Sequence, residues 1–277
     1  MKRMFLPRSR KQNRNQAASP PISEQDSTVA LQINGLYKSF GETVAVNHLN
    51  LSVPAGSFFG LVGPNGAGKT TTLSMAVGLL RPDAGRVRIF GRDLWKQPLQ
   101  AKTLLGVLPD GLSLPERLTG RELLTYLGLL RGLDARTVQS RVEELLDVLD
   151  LATAQRTLLI DYSTGMRKKI GLASALLHGP RLLVLDEPFE AVDPLSASTI
   201  KTILQRFVES SGSVLFSSHV MPLVEQVCTH VAVVTRGEVI AVGEIGQVRG
   251  ESSLEAAFLH LVGGKAGGKE GLTWLAS

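Results

Sequence analysis

Nine residues, GPNGAGKTT, carry the first legible chemistry in the chain. They satisfy the pattern G-x-x-x-x-G-K-[ST] in full. Gly63, Pro64, Asn65, Gly66, Ala67 and Gly68 form the curl; Lys69, Thr70 and Thr71 open the helix expected after it. Glycines are required because the backbone must wrap round phosphate oxygens and aim its N–H groups inward. The helix N-terminus adds partial positive charge. Lys69 is then the residue that reaches β- and γ-phosphates, and the Thr70 hydroxyl is a ligand for Mg²⁺.

A second group lies in RLLVLDEP. Four apolar residues place Asp186 and Glu187 at the end of a buried strand. Parallel α/β sheets bind ligands at that end. Asp186 is the expected Mg²⁺ holder. Glu187, one residue further on, is better placed to polarise an attacking water. A third group, YSTGMRKKIGLASALL, puts Ser163 and Gly165 at a helix start. A hydroxyl with the free N–H groups of a helix N-terminus makes another anion site. One phosphate loop and two phosphate-grade sites imply that two molecules share each nucleotide.

These groups need a scaffold. ALQINGLYKSFG and VNHLNLSVPAG alternate apolar with polar residues and read as two strands joined by a turn. PAGSFFGLVG reads as a buried strand entering the glycine loop, TTTLSMAVGLL as the helix after it, and PDAGRVRIFG as a turn and a strand. From about 95 to 175 the period becomes helical, with Thr137 as a plausible N-cap of the second helix. RLLVLDEP, SVLFSSH, HVAVVTRG and EVIAVG then restore parallel-strand signals. Runs such as LLVL fit strands buried on both faces.

Composition narrows the class. The chain has 277 residues, an ordinary apolar fraction of 43% and a net charge of +5. The first 14 residues carry six basic side chains and no acid, so the rest is close to neutral. The basicity belongs to a leader, 1–29, that reads as solvated and disordered. No nucleic-acid-binding face is expected on the domain. No apolar run approaches the ~18 residues of a membrane span. Cys228, the only cysteine, permits no intramolecular disulfide and reads as a small core residue.

With these motifs in order, the chain resembles the nucleotide-binding subunit of an ATP-binding cassette (ABC) transporter. YSTGM is similar to the family signature LSGGQ. The resemblance spans about Leu31 to Val248. It implies an α/β fold: a P-loop NTPase, RecA-like core with an antiparallel β subdomain and an inserted α-helical subdomain. It implies that Phe40 stacks on adenine, Asp110 occupies the Q-loop position, Asp193 the D-loop, and His219 the switch that contacts the γ-phosphate. The domain then covers 30–248, followed by a C-terminal helix and flexible tail, 249–277. The implied ligands are ATP and Mg²⁺. The implied partners are transmembrane permease subunits and a second nucleotide-binding subunit, at the cytoplasmic face of the membrane.

Three motifs depart from the family pattern. Thr164 and Met166 replace the first glycine and the glutamine of the signature. FEAVDP replaces the commoner Thr-x-x-Leu-Asp-Pro. The Q-loop residue is Asp110, not glutamine. A carboxylate is repelled by phosphate unless it faces the metal, so Asp110 is expected mainly to sense the membrane partner and to bind Mg²⁺ weakly. An acid here, with LTGREL, YSTGMRKK and LEAAFLHLVGG, resembles the ABC-2-like exporters. The competing reading is a non-transport cassette of translation or DNA repair. A single cassette without long heptads or cysteine pairs argues against it.

Overall fold

The computed structural model describes residues 28–262. The basic leader and the glycine- and lysine-rich end of the chain lie outside the described residues. Strands β1 (Val29–Phe40) and β2 (Thr43–Pro54) form a hairpin that closes at the pair Phe40–Thr43. Strand β3 (Phe58–Val62) runs into the glycine loop, and helix α1 (Lys69–Ala76) leaves it. Strands β4 (Ala84–Ile89) and β5 (Arg92–Asp93) complete an antiparallel sheet of order β2-β1-β4-β5.

Helix α2 (Pro98–Thr103) and strand β6 (Leu105–Leu108) follow, inside the stretch whose sequence reads as wholly helical. LGVL is four residues long, and so short an apolar run has no period to separate strand from buried helix. The long helices are α3 (Gly120–Leu130), α4 (Ala135–Val148) and α5 (Thr164–Leu176). Thr119 and Glu122 close a reciprocal capping box on α3. Asp134, not Thr137, caps α4: its carboxylate accepts from the N–H groups of Arg136 and Thr137, and the Thr137 hydroxyl donates to it. An N-cap serves the N–H groups two and three residues on; those free here belong to Arg136 and Thr137, so the cap is Asp134 and Thr137 already lies inside the helix.

The second half alternates β7 (Leu182–Leu185), α6 (Pro194–Glu209), β8 (Ser213–Ser218), α7 (Met221–Val227), β9 (His230–Thr235) and β10 (Glu238–Glu244). Helices α8 (Ile245–Arg249) and α9 (Leu254–Leu261) end the described chain. The main sheet has the order β10-β9-β3-β8-β7-β6. Its strands pair in parallel except β10, which is antiparallel to β9 and so corrects the parallel reading of EVIAVG. The reason is the two-residue turn Arg236-Gly237, both at positive φ, the geometry of a tight hairpin.

Alternation along the inner strands separates two cores. Phe58 and Val62 face the core built on the three long helices; Phe59 and Leu61 face the core shared with the antiparallel sheet. Leu183 and Leu185 of β7 divide from Leu182 and Val184 in the same way. The sheet is therefore covered on both sides, and only its strand ends are available for chemistry. Phe189, for which the sequence offered no account, packs edge-on against Phe216, which packs edge-on against Phe58.

Two expectations follow. A Cβ on Gly106 would stand 2.3 Å from the Ala175 carbonyl, where β6 lies against α5. Gly106→Ala should therefore lower unfolding free energy by about 1–3 kcal/mol, measured by denaturant titration. His178 is held neutral: burial first, then the Arg131 charge, lower its pKa from 6.5 to about 4, and its Nε2 donates to the Leu105 carbonyl. A depressed pKa means that the contribution is complete above pH 6.5 and is lost as pH falls through about 4. His178→Asn should lose less stability than the wild type over that interval, read by thermal melts at each pH.

Candidate functional site

The glycine loop is shaped by contact as much as by flexibility. A Cβ on Gly63 would stand 2.1 Å from the Val234 carbonyl. Gly68 has φ +96°, and a Cβ there would stand 2.4 Å from the Ala45 carbonyl. The loop is thus pressed between β2 and β9, which sets its curvature. Lys69, at the first position of α1, is buried, and its Nζ donates to the carbonyls of Gly63 at 2.8 Å and Pro64 at 3.3 Å. The same ammonium lies 3.7 Å from Glu187 Oε1.

The loop forms one wall of a cleft of about 520 Å³. Gly66, Gly68, Lys69, Thr70 and Thr71 line it, with Asn65 and Ala67. Phe40, half exposed at the end of β1, stands at its mouth with Asp110, Glu187 and His219 on the remaining walls. The fold therefore brings together residues drawn from five separate stretches of sequence.

Asp186 follows β7 and is only 5% exposed. It sits behind the cleft, beside Leu73 and Ser74 of α1. Ser217 of β8 donates to Asp186 Oδ1 at 2.5 Å and accepts from the Glu187 N–H at 2.9 Å. Ser217 is fully buried and is the residue that sequence reasoning missed. Its signal lies in SSH, two positions before His219, and becomes readable only once β8 is placed beside β7.

Glu187 has φ +44° and is followed by Pro188. A non-glycine residue at positive φ costs on the order of 1–3 kcal/mol. A following proline further restricts the backbone toward extended conformations. Four contacts oppose that cost. The N–H donates to Ser217, the carbonyl accepts from Lys168 Nζ at 2.8 Å, Oε2 lies 3.2 Å from His219 Nδ1, and Oε1 faces Lys69.

A hydroxyl and a carboxylate, Thr70 and Asp186, offer hard oxygen donors of the kind Mg²⁺ takes. Among the described residues, no group of three or more His, Cys, Asp and Glu could hold a metal unaided. That fits Mg²⁺, which takes one or two protein ligands and completes its shell with phosphate oxygens and water.

Three expected residues lie elsewhere. Ser163 caps α5, its Oγ accepting from the Met166 N–H at 3.2 Å. Asp193 caps α6, and the Ser196 N–H, then the Ser196 hydroxyl, hold its carboxyl below the usual range. Gly165 packs on this second cap: a Cβ there would stand 2.7 Å from Asp193 Oδ2. Ser163, Gly165 and Asp193 thus form a group of their own, outside the cleft of the same chain.

Residues 46–190 match the family described as ABC transporter. The chain belongs to that family. It is 38% identical over 234 residues to the daunorubicin/doxorubicin resistance ATP-binding protein DrrA of Streptomyces peucetius, covering 84% of this chain and 70% of that one. It is 37% identical over 211 residues to the bacitracin transport ATP-binding protein BcrA of Enterococcus faecalis, covering 76% and 68%. A solved ATP-binding subunit of an ABC transporter superposes with a TM-score of 0.78 at 26% identity, covering 84% of this chain and 99% of that one. The chain is an ABC ATPase, the nucleotide-binding cassette of a transporter complex. No described helix is long and apolar enough to cross a membrane.

Ser217 links the two carboxyl residues, so its removal has a defined signature. Ser217→Ala should lower ATP turnover by roughly 10- to 100-fold, the usual cost of losing a residue that orients a metal ligand. A Mg²⁺ titration of ATPase activity should show a raised half-saturation point. Wild-type turnover with an unchanged Mg²⁺ profile would remove Ser217 from the site.

Proposed function

We propose that this cassette hydrolyses ATP with Glu187 as the water-polarising carboxylate and powers export through separate membrane subunits. One observation carries the catalytic assignment: Glu187 is suspended between Lys69 and His219 at the rim of the phosphate loop. An incoming γ-phosphate competes with Glu187 for the Lys69 ammonium. That releases one carboxylate oxygen toward the water. The water oxygen then bonds to the γ-phosphorus, the bond to the β-γ bridging oxygen breaks, and the water proton passes to Glu187. His219 contacts the γ-phosphate and Phe40 stacks on adenine. Thr70 and Asp186 are the residues that would hold Mg²⁺, which when bound supplies positive charge to the phosphate oxygens.

Dimerisation follows from the separation of the two anion-grade groups. The helix start at Ser163 and Gly165 is absent from its own cleft. Both can meet a nucleotide only in the cleft of a second cassette, as in a head-to-tail pair. Ser163 keeps this capacity while capping, because its oxygen accepts from Met166 and its hydroxyl proton is still available to phosphate. ATP is then held by Lys69 of one copy and Ser163 of the other, and hydrolysis reopens the pair.

An apolar groove of about 370 Å³ supports the membrane partner. Leu112, Leu114, Pro115 and Leu118 form one side, and Leu123 and Tyr126 of α3 the other. It adjoins Asp110 through Gly111, so an element seated there is in touch with the cleft. A cassette docked through this groove works at the cytoplasmic face of the membrane. Export is the direction supported by the names of DrrA, a resistance protein, and BcrA, a transport protein for an antibiotic.

The test is Glu187→Gln, tagged and isolated from gently solubilised membranes with MgATP. Turnover should fall by roughly 10²- to 10⁴-fold, the range for loss of a positioned base. ATP binding should persist, a dimer should accumulate, and a multi-span membrane protein should co-purify in stoichiometric amount. Normal turnover would overturn the catalytic assignment. Ribosomes or DNA-bound proteins in place of a membrane protein would overturn the transport reading.

A further inference from the structure

The backbone of Glu187 needs support on its carbonyl side, and that support comes from an unexpected place. Lys168 stands on α5, one turn after Ser163, yet its Nζ reaches the Glu187 carbonyl at 2.8 Å. The same ammonium lies 3.9 Å from Asp110 Oδ1. The Lys168 side chain is 13% exposed, whereas Asp110 is 51% exposed. The ion pair is too long and too solvated to add much to stability, so its bearing is confined to where the Lys168 ammonium sits. The hydrogen bond to the carbonyl is different: it acts on the peptide plane that joins Glu187 to Pro188, and so on the direction of the Glu187 side chain.

We infer that Lys168 is a positioning residue for hydrolysis: it holds the Glu187 peptide in its left-handed conformation, and Asp110 sets where the ammonium sits. This rests on the reading of Glu187 as the water-polarising carboxylate. Of the contacts that restrain Glu187, those from Ser217, His219 and Lys69 come from the main sheet and the glycine loop. Lys168 is the contact that comes from the inserted helices. A displacement of α5 therefore moves the carbonyl anchor and re-aims the carboxylate without touching the phosphate loop. Asp110, beside the groove offered to the membrane partner, pulls on the same ammonium from the other side. An acid at this position, anomalous as a phosphate neighbour, acquires a role as the counter-ion that sets Lys168.

The experiment compares Lys168→Met, Lys168→Gln and Lys168→Arg in the full chain with its membrane partner, with Glu187→Gln as the reference. Lys168→Met removes the donor and the charge; Lys168→Gln keeps a donor and removes the charge. The expected result is a fall in kcat on the order of 10- to 100-fold for Lys168→Met. KM for ATP and the melting temperature should stay near wild type. Lys168→Gln and Lys168→Arg should recover most of kcat. In a background of Asp110→Asn, the step from lysine to glutamine should cost less than in wild type. A Lys168→Met protein with wild-type kcat would overturn the inference. So would a loss of kcat accompanied by an equal loss of ATP affinity, or by a lowered melting temperature that glutamine does not restore. If Glu187→Gln itself turns over normally, the underlying assignment fails instead, and the two failures are told apart.

Discussion

Glu187 occupies a left-handed backbone directly before a proline, and the chemical end of the molecule is arranged round that constraint. Neither feature is tolerated cheaply in a residue with a long side chain. The strain persists because the surroundings over-determine it. Ser217 comes from β8, Lys168 from α5, Lys69 from α1 and His219 from the turn after β8. Each anchor is itself fixed by the packing of its element. Ser217 is fully buried between strands, and Lys69 is tied to the loop carbonyls. The cost is spread over four elements, which makes the carboxylate direction a property of the whole sheet end.

This arrangement explains why the main sheet is covered so completely. With helices on one face and the antiparallel sheet on the other, the strands expose only their ends. Asp186 and Glu187 leave the end of β7, and His219 leaves the end of β8, its parallel neighbour. In a parallel pair these ends lie side by side, so Glu187 and His219, 32 positions apart in sequence, share one rim. Asp186 is buried behind the rim, whereas Glu187 lines the cleft with Thr70, so two adjacent carboxylates meet different surroundings.

Local chemistry was legible in the sequence where a motif and its structural context are contiguous. The glycine loop, the Asp186-Glu187 pair and the helix start at Ser163 are of this kind, because strand, turn and helix follow one another within a few residues. What depends on partners distant in the chain was not legible. Ser217 is one of two neighbouring serines and gains its role only from the register of β8 beside β7. β6 is hidden because four apolar residues between helices carry no period. β10 reads like its neighbours until the Arg236-Gly237 turn reverses it. Lys168 sits in a run of three basic residues that a sequence reader takes for a solvated face. The approach of α5 to the end of β7 gives Lys168 the Glu187 carbonyl, whereas Lys169 pairs with Asp150 and Arg167 donates to the carbonyls of Tyr162 and Ile160.

Helix α5 thus faces two ways. Its start exposes Ser163, away from its own cleft, while Gly165 packs against the cap of α6 formed by Asp193. One turn later Lys168 points inward to Glu187. Ser163 and Lys168 stand five positions apart on one helix, so a displacement of α5 as a body moves both. An event at the outward end must be felt at the inward carbonyl, whether that event is phosphate from a second cassette or a push through the groove beside α3. The reverse also holds, because coupling between two sites on one rigid element is reciprocal for binding. With Glu187 as the proposed water-polarising carboxylate, its direction then answers to surfaces that never touch the water.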